Sequence, residues 1–126
     1  MTQEEIEGNK LIGYYMGATI IDIPGIQKTI MYPVNGGEAK FVTRLRYNKS
    51  MDWLYPVYQK IYEFVRSRQC EELDSYTKML LRVKAIDCSI TIEQGKPISE
   101  IFKEIVEWIK IYNSKVLEDG KDITKS

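Results

Sequence analysis

The residues best suited to chemistry stand close together in the first half of the chain. Arg44 and Arg46 are separated by one residue, Tyr47 follows, and Trp53 lies six positions further on. A guanidinium is a planar fork that grips phosphate or carboxylate oxygens in pairs, and an aromatic ring nearby can stack on a base. In an extended Lys40–Tyr47 segment, Phe41, Thr43, Leu45 and Tyr47 point one way while Lys40, Val42, Arg44 and Arg46 point the other. The pattern assigns a ligand site for a nucleotide-like small molecule to Arg44, Arg46, Tyr47 and Trp53. A solvated sheet face, or a charged edge that discourages aggregation, accounts for the same pair of arginines and is the commoner arrangement.

Other chemistries have less to stand on. Asp22, Asp52 and Asp87 are the carboxylates that could hold magnesium in a nucleotide-processing enzyme, but each is isolated and already suits a turn or capping role. The chain contains no histidine, so the commonest general base and the commonest transition-metal ligand are both missing. Cys70 and Cys88 show neither metal-ligand spacing nor a disulfide-dense pattern and read as free thiols. Gly8, Gly13 and Gly17 precede a strand and lack the Gly-Lys-Ser/Thr ending of a phosphate loop. No catalytic residue, metal or cofactor is assigned.

Composition narrows the partners. Eighteen basic residues balance 18 acidic ones, so no overall field draws the protein to nucleic acid or to an anionic membrane. No apolar run approaches the length of a bilayer span, and Met-Thr-Gln-Glu-Glu is acidic where a signal peptide is basic and then apolar. The expected location is the cytosol.

The elements that would position these residues follow from spacing. Thr2 with Glu5 matches a capping box and opens a helix over residues 3–16 with Leu11, Ile12, Tyr15 and Met16 on its apolar face; Gly17 ends it. Gly8 and Gly13 inside it imply close packing against a neighbour or a weak first turn. Residues 18–23 and 26–32 read as strands around Pro24-Gly25, and Asn35-Gly36-Gly37 turns the chain into the alternating strand of residues 40–47. Ser50 is placed to cap a helix beginning near Met51, in which Leu54, Val57, Ile61 and their neighbours form a wide stripe and Pro56 introduces an elbow. Trp53 reads as a core anchor or, at the elbow, as a ring presented to a ligand. Residues 67–75 are a polar connection. Residues 76–86 fit either a helix or a strand and are taken as strand; Cys88, Ile90 and Ile92 alternate with polar residues in a further strand that ends at Gln94-Gly95. Ser99 caps a last helix with Ile101, Phe102, Ile105, Trp108, Ile109 and Tyr112 on one face, closed by Asn113. The expected fold is α+β: a small, mostly antiparallel sheet covered by three helices, in one domain over residues 1–115 with a flexible tail over 116–126.

Three segments carry a family resemblance. Asn9-Lys10-Leu11-Ile12 with Met16-Gly17, Ser50 with Asp52-Trp53-Leu54, Pro56-Val57 and Lys60-Ile61, and Val106-Glu107-Trp108-Ile109-Lys110 with Tyr112-Asn113 resemble small phage proteins related to the phage ABA-sandwich domain, abundant in phages of Bacteroidetes-type gut bacteria. Such proteins carry phenylalanine where Trp108 stands and tryptophan where Ile111 stands. The resemblance implies a helix-covered sheet and brings no catalytic residues. The first functional expectation is a phage-encoded, non-enzymatic binding protein in the host cytosol, sequestering a nucleotide-type immune signal or a host protein, with a homo-oligomer completing the pocket. A structural or protein-docking module is the alternative, and a metal-dependent nucleotide-processing enzyme the third reading.

Overall fold

In the computed structural model the described residues are 2–23, 28–32, 40–41 and 45–117. Five helices follow one another around three short strands: α1 (Gln3–Tyr15), β1 (Thr19–Ile23), β2 (Lys28–Tyr32), β3 (Lys40–Phe41), α2 (Met51–Val65), α3 (Arg68–Glu71), α4 (Ser75–Glu93) and α5 (Ile98–Tyr112), with a π-helical turn over Asn113–Leu117.

The α+β sandwich is not what forms. Among the residues whose burial is described, the buried cluster comes from the helices: Ile12 and Tyr15 from α1, Leu54, Val57, Ile61 and Val65 from α2, Cys70 from α3, Leu81, Ala85 and Cys88 from α4, and five residues of α5. A small antiparallel meander, β1–β2–β3, lies between α1 and α2 in the chain. The protein is a helical bundle, and the sandwich architecture implied by the phage-protein resemblance is corrected with it.

The largest single correction is α4. Residues 76–92 were expected as two strands and instead form most of one 19-residue helix. Asp74 caps it, its carboxylate accepting the Thr77 amide at 3.0 Å, a contact that also holds the Asp74 carboxyl below its usual range. Gly95 ends it with φ +66, a conformation glycine adopts without steric cost. A hairpin then returns the chain as α5, capped at Pro97, not at the expected Ser99.

α5 is the central helix: it touches α1, α2 and α4. Its Ile101, Phe102, Ile105, Trp108 and Ile109 are buried, as one apolar stripe of a surface helix requires. Trp108 is fully enclosed, and its indole N–H donates to the Leu81 carbonyl at 2.9 Å, fastening α5 to α4. Around it Tyr15 and Phe64 meet the indole edge-on, with centroids at 5.6 and 5.9 Å, and Tyr112 stacks at 5.5 Å.

α1 approaches α5 closely because Gly8 has no side chain; a Cβ there would lie 2.4 Å from Phe102 Cζ and 3.1 Å from Val106 Cγ2. The capping box forms as expected, with the Glu5 amide donating to Thr2 Oγ1 at 3.1 Å and the Thr2 amide donating to Glu5 Oε1 at 3.0 Å. Gly17, at φ 88, closes the helix.

α2 begins at Met51 as expected, but the Ser50 side chain makes no capping bond, and Pro56 sits inside one continuous helical assignment. The strand expected through Tyr47 is described only at Lys40–Phe41; Leu45 and Arg46 are irregular, and Tyr47, Asn48 and Lys49 form a turn. Val116, where the tail was expected to begin, packs against the core. No helix among the described residues is long and apolar enough to cross a membrane.

Candidate functional site

Of the residues assigned to a ligand site, Arg44 lies outside the described residues. Tyr47 and Trp53 are brought together, ring edge to ring face, with centroids at 5.1 Å and planes at 84°. They pack with Ile6 and Ala18 around the buried Leu45 in a small satellite cluster, which Tyr47 joins to the main core. Burial pushes the Tyr47 hydroxyl above its ordinary pKa. Arg46 is exposed, and its carbonyl accepts the Lys49 and Ser50 amides at 3.0 and 2.9 Å, which folds the turn that delivers α2. The two rings therefore spend much of their surface on one another and on Leu45.

Asp52 is exposed in the first turn of α2 and Asp87 half-buried on α4, whereas Asp22 belongs to β1. No group of three metal-ligating side chains comes together among the described residues. Cys70 and Cys88 are buried free thiols. Burial pushes the Cys88 thiol up to about 12 and raises Cys70 as well, so neither is a ready nucleophile.

Two cavities lie where α1 meets α5. The larger, about 390 Å³, is floored by Gly8, Leu11, Phe102 and Val106 and rimmed by Glu7 and Lys110. The smaller, about 200 Å³, is bordered by Thr2, Glu5, Asn48 and Phe102. Arg46, Tyr47 and Trp53 line neither. Beside them runs a polar relay: Asn9 donates its amide to Asn48 Oδ1 at 3.1 Å, and Asn48 donates to Glu5 Oε2 at 2.5 Å. The Thr2 amide and the Asn48 side chain together hold the Glu5 carboxyl down at about 2. These side-chain bonds join α1 to the turn before α2, which is a structural task.

The feature that fold construction leaves unexplained is the outer face of α4. Its inner face buries Thr77, Leu81, Ala85 and Cys88. Its outer face exposes Tyr76 (62%), Met79 (59%), Val83 (49%), Ile86 (57%) and Ile90 (43%). Single exposed apolar residues are ordinary, but five in one row along a helix are not. Their separations are three, four, three and four residues, the a/d pattern of a two-stranded coiled coil. Arg82 and Asp87 flank the row, half-exposed and half-buried respectively. Arg82 reaches Glu71 at 2.6 Å and the Val65 carbonyl at 3.3 Å, holding α4 to α3 and to the end of α2.

This face was present in the sequence as a 3-4-3-4 spacing, and assigning the segment to strands hid it. No protein-family model matches the chain, and no curated protein or solved structure matches it at a significant level.

Proposed function

We propose that this protein is a non-enzymatic docking module whose working surface is the outer face of α4. The observation that carries the reading is that α4 is apolar on two opposite faces while the described core uses only one. Exposed apolar surface costs solubility and contributes nothing to the described core, so its natural use is contact with another polypeptide. On the resemblance of its three quoted segments, we read its setting as the cytosol of a phage-infected bacterium.

The test separates binding surface from hidden core. Val83→Ser and Ile86→Ser, unfolded in urea at sub-micromolar concentration, are expected to change stability by about 0.5 kcal/mol or less, as surface substitutions do. A loss above about 1.5 kcal/mol would mean that the row supports the fold, and the docking reading would fall.

A second reading, sequestration of a nucleotide-type signal, has the exposed Arg46 next in sequence to the Tyr47–Trp53 pair in its favour. Incubation with a panel of cyclic nucleotides, followed by removal and heating of the protein, tests it: intact ligand returned on heating supports it, and ligand left in the supernatant does not.

A further inference from the structure

The outer face of α4 fits one occupant better than any other: the same face of a second copy of this chain. This rests on the docking reading above and goes beyond it by naming the partner and its direction.

The heptad phase is fixed by the spacing. Tyr76, Val83 and Ile90 take the a positions, and Met79 and Ile86 the d positions, because a to d spans three residues and d to a spans four. Two of the three a residues are β-branched, the preference of parallel two-stranded coils. Over 19 residues the helix is about 28 Å long, enough for five layers.

Charge decides the direction. In the same phase Arg82 falls at g and Asp87 at e. In a parallel pair, g of one helix faces the e position five residues on in the other. Arg82 therefore meets Asp87 of the second copy, and the two-fold axis repeats the contact on the opposite side. An antiparallel pair in the register that faces Val83 with Ile86 would set Arg82 near Ser89 and Asp87 near Leu80, leaving neither with a charge partner across the contact. The side chain of Asp87 makes no ion pair among the described residues. Arg82 commits Nε and one Nη2 proton within its own chain, and a guanidinium has five donors.

Area is sufficient. The five apolar residues, each more than two-fifths exposed, present on the order of 500 Å² per chain, within the size range of the largest apolar patches on monomers, which are often functional. Doubled across a two-fold contact, this reaches the roughly 1,000 Å² at which specific interfaces begin.

We infer that the protein forms a parallel two-fold dimer through α4, closed by reciprocal Arg82–Asp87 pairs. Sedimentation equilibrium of the full chain over about 1 to 200 µM is expected to show a concentration-dependent dimer. Ile86→Glu should weaken it at least about 100-fold, because a carboxylate at a d position would be buried beside its own copy. Asp87→Arg, which sets like charges against Arg82 of the second copy, should weaken it, and the neutral Asp87→Asn should weaken it less. Circular dichroism establishes that each variant retains its helix content. Ile90→Cys supplies an independent measurement: at an a position the introduced thiols face each other only in a parallel pair, so oxidation should yield a cross-linked dimer under non-reducing electrophoresis. A chain that stays monomeric to about 200 µM overturns the inference, as does a dimer indifferent to Ile86→Glu. A dimer that Ile90→Cys cannot cross-link overturns the parallel direction. A monomeric chain whose Ile86→Ser variant keeps its stability would sink the self-pairing alone and leave the docking reading intact.

Discussion

Trp108→Phe removes a side chain that joins α5 to α1, α2 and α4, and the structure sets the cost. The indole is fully buried. Its N–H donates to the Leu81 carbonyl at 2.9 Å, and phenylalanine cannot replace that bond. Leu81 lies mid-helix, so its carbonyl keeps its own i+4 amide partner and is not orphaned; the hydrogen-bond part of the loss is therefore about 1 kcal/mol. Replacing the bicyclic indole by a single ring forfeits buried area and leaves a void in the core, adding about 1–2 kcal/mol. The expected total is about 2–3 kcal/mol, read by urea unfolding followed by far-ultraviolet circular dichroism with an unchanged m value. Trp53→Phe is the comparison: its ring is half-buried in the satellite cluster with Leu45 and Tyr47, and its loss should stay near or below about 1 kcal/mol. A Trp108→Phe loss below about 0.5 kcal/mol, or one no larger than that of Trp53→Phe, would refute the clamp.

Gly8→Ala sets two effects against each other. Alanine favours the helix by about 1 kcal/mol, but its Cβ would press Phe102 and Val106 apart from α1, and overpacking of that kind costs about 1–3 kcal/mol. A net loss of about 1 kcal/mol in thermal unfolding is expected, and a net gain would show that the Phe102 ring swings freely into the α1–α5 groove. Glu5 supplies a pH dependence. Its carboxyl is held from 4.5 down to about 2 by the Thr2 amide first and the Asn48 side chain second, so its stabilisation is complete above pH 4.5 and is lost as pH falls toward 2. The melting temperature of the wild type should therefore fall more steeply than that of Glu5→Gln across that window, and parallel curves would remove Glu5 from the account.

The sequence was most legible where local chemistry and packing agree. Thr2 and Glu5 announce a helix start through a capping box that exists only at a helix N-terminus, and α5 carries its apolar residues on a single stripe. α4 was misread for a physical reason. Its inner row, Leu81, Ala85 and Cys88, and its outer row, Val83, Ile86 and Ile90, are each helical in spacing. Interleaved, they place apolar residues at close to every second position, which imitates a strand. A helix that is apolar on two faces loses the one-sided signature by which helices are recognised. The ligand-site expectation drew on the same assumption, since Arg46 and Tyr47 were put on opposite faces of a strand. They stand instead in irregular chain and a turn that enters α2.

Lys60 crosses from α2 to donate to the Tyr15 carbonyl at the end of α1, with its ammonium lying over the Tyr15 ring at 4.6 Å. α1 has no basic residue in its own last turn, so the cation that opposes its dipole is borrowed from a helix 45 residues away. With two glycines in its length as well, α1 has little helical stability of its own before it docks. α4 and α5 are joined by a tight hairpin and close locally, whereas α1 must return to α5 across most of the chain. The expected order of assembly is the α4–α5 hairpin first, α2 upon it, and α1 last. The same order in reverse makes α1 the helix whose amides exchange with solvent earliest, so that the first of these helices to be made is the last to become permanent.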